Sequence, residues 1–149
     1  MGCDIHAYLE RKFDDEWHMI TPIKGYVGDN DGRGGQRDYA FFARLCGVRA
    51  SYDDNKNSHP EPKGLPHDVS TVVKWHSDTW DADGHSHSWE NATEFVEKKL
   101  VLDRLRDKDN ELHSQDWESY KILSYSIDED GDELTDNSHL YRVVFWFDN

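Results

Sequence analysis

The chain of 149 residues has the length of one domain, spanning 1–149, with a single hydrophobic core, and its formal net charge is -14, from 31 acidic against 17 basic side chains. That field opposes non-specific binding to duplex nucleic acid or an anionic membrane, and no apolar run reaches membrane-spanning length. Disorder is disfavoured too: only 36% of residues are apolar, but six Trp, seven Tyr and six Phe can build a core from few positions.

Residues 3–23 read as a β-hairpin. In CDIHAYLER, Cys3, Ile5, Ala7 and Leu9 alternate with Asp4, His6, Tyr8 and Glu10, so Asp4 and His6 share a face that Cys3 does not. Phe13-Asp14-Asp15-Glu16 makes the turn and WHMITPI returns. The opening Met1-Gly2-Cys3 is not expected to carry lipid, since myristoylation wants Ser or Thr where His6 stands and no apolar signal precedes Cys3. Two cysteines, Cys3 and Cys46, give neither a disulfide framework nor a paired-cysteine zinc motif, so a reduced, cytoplasmic setting is expected.

Residues 24–37 are a glycine-rich polar loop. Asp38 is placed to cap a short helix, DYAFFARLCG, with Tyr39, Phe42, Ala43 and Cys46 on one stripe and Gly47 at its end. After a loop with prolines at 60, 62 and 66, Ser70 caps a second helix carrying Val72, Val73, Trp75 and His76. Asn91-x-x-Glu94 forms a capping box, which predicts a third helix from just after Trp89 to about Lys108 and leaves His85-Ser86-His87-Ser88 in the turn that feeds it. Residues 119–127 and 140–147 read as antiparallel strands joined by an acidic loop; the second, apolar on both faces, suits a central strand. The fold class is α+β, an antiparallel sheet with about three helices.

The strongest constellation is Asp4, His6, His85 and His87 as metal ligands, with Asp83 and Asp148 as further ligand or general base. Imidazole and carboxylate donors suit zinc, manganese, iron or nickel, and a bound divalent ion would place positive charge locally in an acidic protein. Water on such a metal ionises near neutral pH. In an extended turn, His85 and His87 are expected to face one point. Arg37, Tyr39 and Trp89 are the expected substrate contacts, Arg37 for a phosphate group. Thr79 to Glu90 can also be laid on a calcium-loop template, with Asp81, Asp83, Gly84 and Glu90 in register but Thr79 where an acid is needed. Cys46 falls on the apolar helix stripe and reads as packing.

Asp4-Ile5-His6 and Gly84-His85-Ser86-His87 resemble the opening and closing blocks of calcineurin-like metallophosphoesterases, without that family's middle Gly-Asn-His block. The likeness is one of chemistry, with no fold implied. Across the whole chain, MGCDIHAYLE, RDYAFFARLCGVR, PKGLPHDVS, DGHSHSW and VVFWFDN resemble an uncharacterised family of small proteins of bacteriophages and bacterial genomes. The resemblance implies a phage-type protein of the cytoplasm, with counter-defence as the expected role.

The sequence therefore predicts a metal-dependent hydrolase of a phosphodiester or nucleotide. The alternative is a non-catalytic protein that sequesters a nucleotide signal or masks a host defence protein, with Trp75, Trp80, Trp89, Tyr39 and Arg37 lining its pocket. An acidic decoy would need an array of carboxylates that this scattered pattern lacks.

Overall fold

Alternation along the first strand sets the architecture. The computed structural model describes residues 3–23, 39–50, 59–98 and 138–148. Strand β1 (Asp4–Phe13) buries Ile5, Ala7 and Leu9 on one face and turns Asp4, His6, Tyr8, Glu10 and Lys12 to the other. Asp14 and Asp15, with φ of 48° and 63°, make the two-residue turn into β2 (Glu16–Pro22). Two successive left-handed residues match the right-handed twist of the paired strands.

Two further strands complete an antiparallel sheet. They are β3 (Gly84–Asn91) and β4 (Tyr141–Asp148), and the strand order is β2-β1-β4-β3. The fold is thus α+β. Central β4 is buried at all eight positions, as a strand covered on both faces must be. Its odd residues Val143, Phe145 and Phe147 join Ile5, Leu9, Phe41, Phe42 and Phe95 in the larger core. Its even residues Val144 and Trp146 pack with Tyr8 and Val73 on the opposite side.

Helix α1 (Tyr39–Cys46) and helix α3 (92–98) supply the rings of the first layer. Gly47 ends α1 at φ 74°, and a Cβ there would stand 3.0 Å from the Pro60 carbonyl oxygen. Helix α2 (Thr71–Trp80) covers the second face; the Ser70 hydroxyl accepts from the Val73 N–H at 3.3 Å, the expected cap.

One prediction is corrected. His85-Ser86-His87-Ser88 does not lie in a turn but inside β3, which runs directly into α3. GHSHSWEN has little intrinsic strand preference, but β4 offers it an open edge, and ladder pairing outweighs propensity. The capping role of Asn91 holds, since its Oδ1 accepts from the Thr93 N–H at 3.0 Å. The calcium-loop template fails for the same reason: residues 79–90 span a helix end, one 3-10 turn (Asp81–Asp83) and an extended strand. The expected strand at 119–127, the glycine-rich loop with Arg37, the Asp38 cap and the later part of the third helix lie outside the described residues.

Candidate functional site

The ladder brings the two ends of the sequence pattern together. Asp4 of β1 pairs with Asp148 of β4, which pairs in turn with Gly84 of β3. Even-numbered residues of β1 and β4 face α2, so Asp4, His6 and Asp148 occupy one corner of one face. The His6 Nε2 lies 2.7 Å from Asp148 Oδ2. A carboxylate only accepts, so Nε2 is the donor in this contact. The pair is largely shielded, with side chains 20% and 9% exposed. The His6 ring sits between Trp80, centroid at 4.5 Å, and Trp146, stacked at 5.8 Å.

Trp80 reaches the corner because Gly84 makes room for it. A Cβ on Gly84 would stand 3.2 Å from the Trp80 Cβ and 3.7 Å from His87 Cε1. The glycine of the Gly-His-Ser-His block therefore acts in close packing of helix end against strand start.

The two histidines of that block part company. His85 is opposite Phe147 and Ser88 opposite Phe145, so Ser86 and His87 together oppose Trp146. This is a β-bulge, with Ser86 in the left-handed region at φ 55°. The extra residue breaks the two-residue period. His85 stacks on Phe147 at 6.0 Å, and its Nε2 lies 4.0 Å from Cys3 Sγ on the α1 side of the sheet. His87 stacks on Trp146 at 5.8 Å and its Nε2 lies 2.9 Å from Ser77 Oγ, on the α2 side. The expectation that both face one point is corrected by this register shift. Among the described residues, no three His, Cys, Asp or Glu side chains stand in an arrangement that could hold a metal ion. Asp4, His6 and Asp148 share the corner face, His87 lies across Trp146 from them, and His85 is on the reverse face.

Titration follows burial. Desolvation, then the charge of His85, holds the His87 imidazole below its ordinary value. Burial raises the Cys3 thiol against the pull of Arg49, and pushes Cys46 up to about 11, so neither is an activated thiolate.

The other predicted residues are distributed. Asp83 ends the exposed 3-10 turn just before Gly84. The Tyr39 hydroxyl accepts from the Cys3 N–H at 3.0 Å and donates to the Cys3 carbonyl at 2.9 Å, anchoring α1 to the start of β1. Trp89 lies far along β3, its ring beneath Lys63 Nζ at 4.4 Å. Arg37 lies outside the described residues. Trp75 is exposed on the outer side of α2, so the aromatic residues named for a capture pocket do not gather in one place.

Sequence reasoning missed Ser77 under His87 and Trp80 over His6. The signal was present: Val73, Ser77 and Trp80 follow i, i+4, i+7 spacing, the stripe by which α2 meets the sheet. Compared with protein-family models, curated proteins and solved structures, the chain matches none.

Proposed function

We propose that the protein is a metal-dependent hydrolase of a phosphodiester or nucleotide, with its centre at the sheet corner of Asp4, His6 and Asp148. The observation that carries this reading is the 2.7 Å His6–Asp148 contact with Asp4 in ladder register beside it. Imidazole and carboxylate are donor types that divalent ions take, and an ion would have to draw Asp4 in beside the His6–Asp148 pair, since no three such side chains stand in a metal-holding arrangement among the described residues. Asp148 either binds the ion or holds the His6 ring for it, as outer carboxylates do. A divalent ion here would draw a phosphate to a chain whose overall field repels one, and would supply hydroxide near neutral pH. Trp80 above His6 gives one wall that limits water. The resemblance to small phage proteins suggests counter-defence in the cytoplasm of an infected cell as the setting; among the described residues no helix is long and apolar enough to cross a membrane.

The test is metal analysis of the purified protein together with hydrolysis of an activated phosphodiester, before and after chelation. Asp4→Asn, His6→Ala and Asp148→Asn are expected to lose both metal and rate, while His85→Ala, on the other face, retains them. Absence of stoichiometric metal, with wild-type rates in His6→Ala and Asp148→Asn, ends the proposal.

A further inference from the structure

The far end of the same sheet face carries a second polar site. Lys12 lies eight residues along β1 from Asp4, about 27 Å at the rise of an extended strand. Around it the described residues enclose a cleft of about 570 Å³, within the range of small-molecule sites. Its lining includes Lys12, Trp17, Lys63, Asp68, Trp89 and Arg142.

The wall is built around Arg142. Its guanidinium carbon lies 3.9 Å from the Trp17 ring centroid and 5.9 Å from that of Trp89. Glu10 accepts from its Nε at 2.6 Å and Asp68 from its Nη1 at 2.8 Å, and Asp68 also accepts from the Trp17 indole at 3.0 Å. Burial, which would raise the Asp68 carboxyl, is outweighed by the hydrogen bond and charge of Arg142, so Asp68 stays ionised. Arg142 is therefore charge-balanced within the wall, where it is a fixed spacer between two indoles.

The mouth carries the remaining charge. Lys63 is pinned in backbone: its N–H donates to Ser88 Oγ at 3.2 Å, and the next N–H, of Gly64, donates to the His87 carbonyl at 2.8 Å. Its ammonium stands over Trp89, 3.5 Å from a Glu90 carboxylate that Lys98 also holds at 2.8 Å. Lys12 Nζ lies 6.0 Å from the Trp17 ring on the other side. Arg142 is offset by Glu10 and Asp68, and Lys63 shares Glu90 with Lys98, so the Lys12 and Lys63 ammoniums at the mouth are the groups that can turn to an anion, in a chain of net charge -14.

We infer that this cleft binds a mononucleotide-class ligand, its planar heterocycle taking the Trp89 face that the Lys63 ammonium covers and its phosphate held between Lys12 and the displaced Lys63. A simple anion would leave the indoles unused, and a neutral aromatic would leave the lysines unused. A cationic ring would be repelled by the Lys12 and Lys63 ammoniums at the mouth. Long nucleic acid would meet the acidic remainder of the surface, which confines the match to a small ligand. Rings that stack and lysines that meet phosphate are the pairing that single nucleotides require.

The experiment is calorimetric titration of the whole protein with the four ribonucleoside monophosphates and their cyclic forms, beside adenosine and inorganic phosphate. At least one nucleotide is expected to saturate one site per chain, more tightly than the nucleoside or phosphate. Lys12→Ala with Lys63→Ala, both near the surface and compatible with folding, is expected to weaken it at least about tenfold, and Trp89→Leu similarly. With a chelator present in both titrations to silence any metal-dependent corner, His6→Ala with Asp148→Asn should bind as the wild type does, which separates this cleft from the corner. The inference is overturned if no nucleotide binds, if nucleoside or phosphate alone binds as tightly, or if the lysine pair can be removed without loss. It is equally overturned if binding is lost with His6 and Asp148 instead.

Discussion

Arg142→Met is expected to destabilise the protein strongly, for a reason set by one buried carboxylate. Glu10 is 0% and Arg142 5% exposed at the side chain, and they meet at 2.6 Å. The other Glu10 oxygen accepts from the N–H of Ser70, the N-cap residue of α2, at 2.8 Å. Methionine replaces the arginine stem but not the guanidinium that lies against Trp17 and Trp89, so some of the indole packing is lost in the single and double variants alike. The cation goes too, leaving Glu10 without its partner in a dry layer. Removing one member of a buried pair costs about 3–5 kcal/mol. Total stability for a domain is about 5–15 kcal/mol. The midpoint of thermal unfolding should fall by about 6–20 °C. Pairing Arg142→Met with Glu10→Gln removes both charges yet keeps an acceptor for Ser70, and should bring the loss back to about 1–2 kcal/mol. Urea unfolding followed by Trp fluorescence measures both, with the slope checked for constancy. A single-variant loss below about 1 kcal/mol, or a double variant as damaged as the single, refutes the reasoning.

Phe42 touches Phe41, Phe95, Phe145 and Phe147 at ring distances of 5.1 to 6.3 Å, so Phe42→Ala should cost about 3–5 kcal/mol in urea melts, and a loss below about 1 would mean the rings repack. His87 is held below its ordinary 6.5 by burial, so below that pH the unfolded chain takes up a proton that the folded one refuses and stability falls as pH falls. His87→Gln should flatten the urea-midpoint profile from about pH 7.5 to about pH 5.5, and an unchanged slope would assign it to other groups. Ser86, at φ 55°, should tolerate glycine, whereas Ser86→Val should cost about 1–2 kcal/mol in a thermal melt; equal melts for the two would remove the bulge as a constraint.

The legible parts of the fold were those in which a local signal and the tertiary environment agree. CDIHAYLER alternates and is half-buried, Asp14-Asp15 makes its turn, Ser70 caps its helix, and LYRVVFWF lies centrally because both its faces are apolar. The sheet edge misled, because GHSHSWEN owes its strand form to β4 and carries no β-branched residue of its own. The bulge was invisible for a related reason: glycine advertises a left-handed position, and here serine occupies it. Half of the candidate corner was readable, since Asp4 and His6 two residues apart must share a strand face. Its other half, Asp148, is 142 residues from the histidine it meets, and no periodicity reports a contact of that range. Of the cleft only Trp89 was named from the sequence, as a substrate contact, and nothing there tied it to Lys12, Lys63 or Arg142. Arg142 looks like a polar interruption of an apolar run until Glu10 is seen opposite it in the ladder.

The α2 face of the sheet explains why two polar sites coexist without merging. Down β1, Asp4 and His6 are followed by Tyr8, then Glu10 and Lys12; opposite them on β4 stand Asp148, Trp146, Val144 and Arg142. The middle of this face is apolar, with Tyr8 stacked on Trp146 at 5.3 Å and Val73 buried against it. Helix α2 lies across that dry middle with its first turn anchored at Glu10 through Ser70 and its last residue, Trp80, over His6. Ten helical residues span about 15 Å, so each end serves a different site. Polar groups at the two ends share no hydrogen-bond partner among the described contacts, and separated sites of that kind add rather than couple. That independence is what allows His6 and Asp148 variants to serve as controls for nucleotide binding, and Lys12 and Lys63 variants as controls for metal.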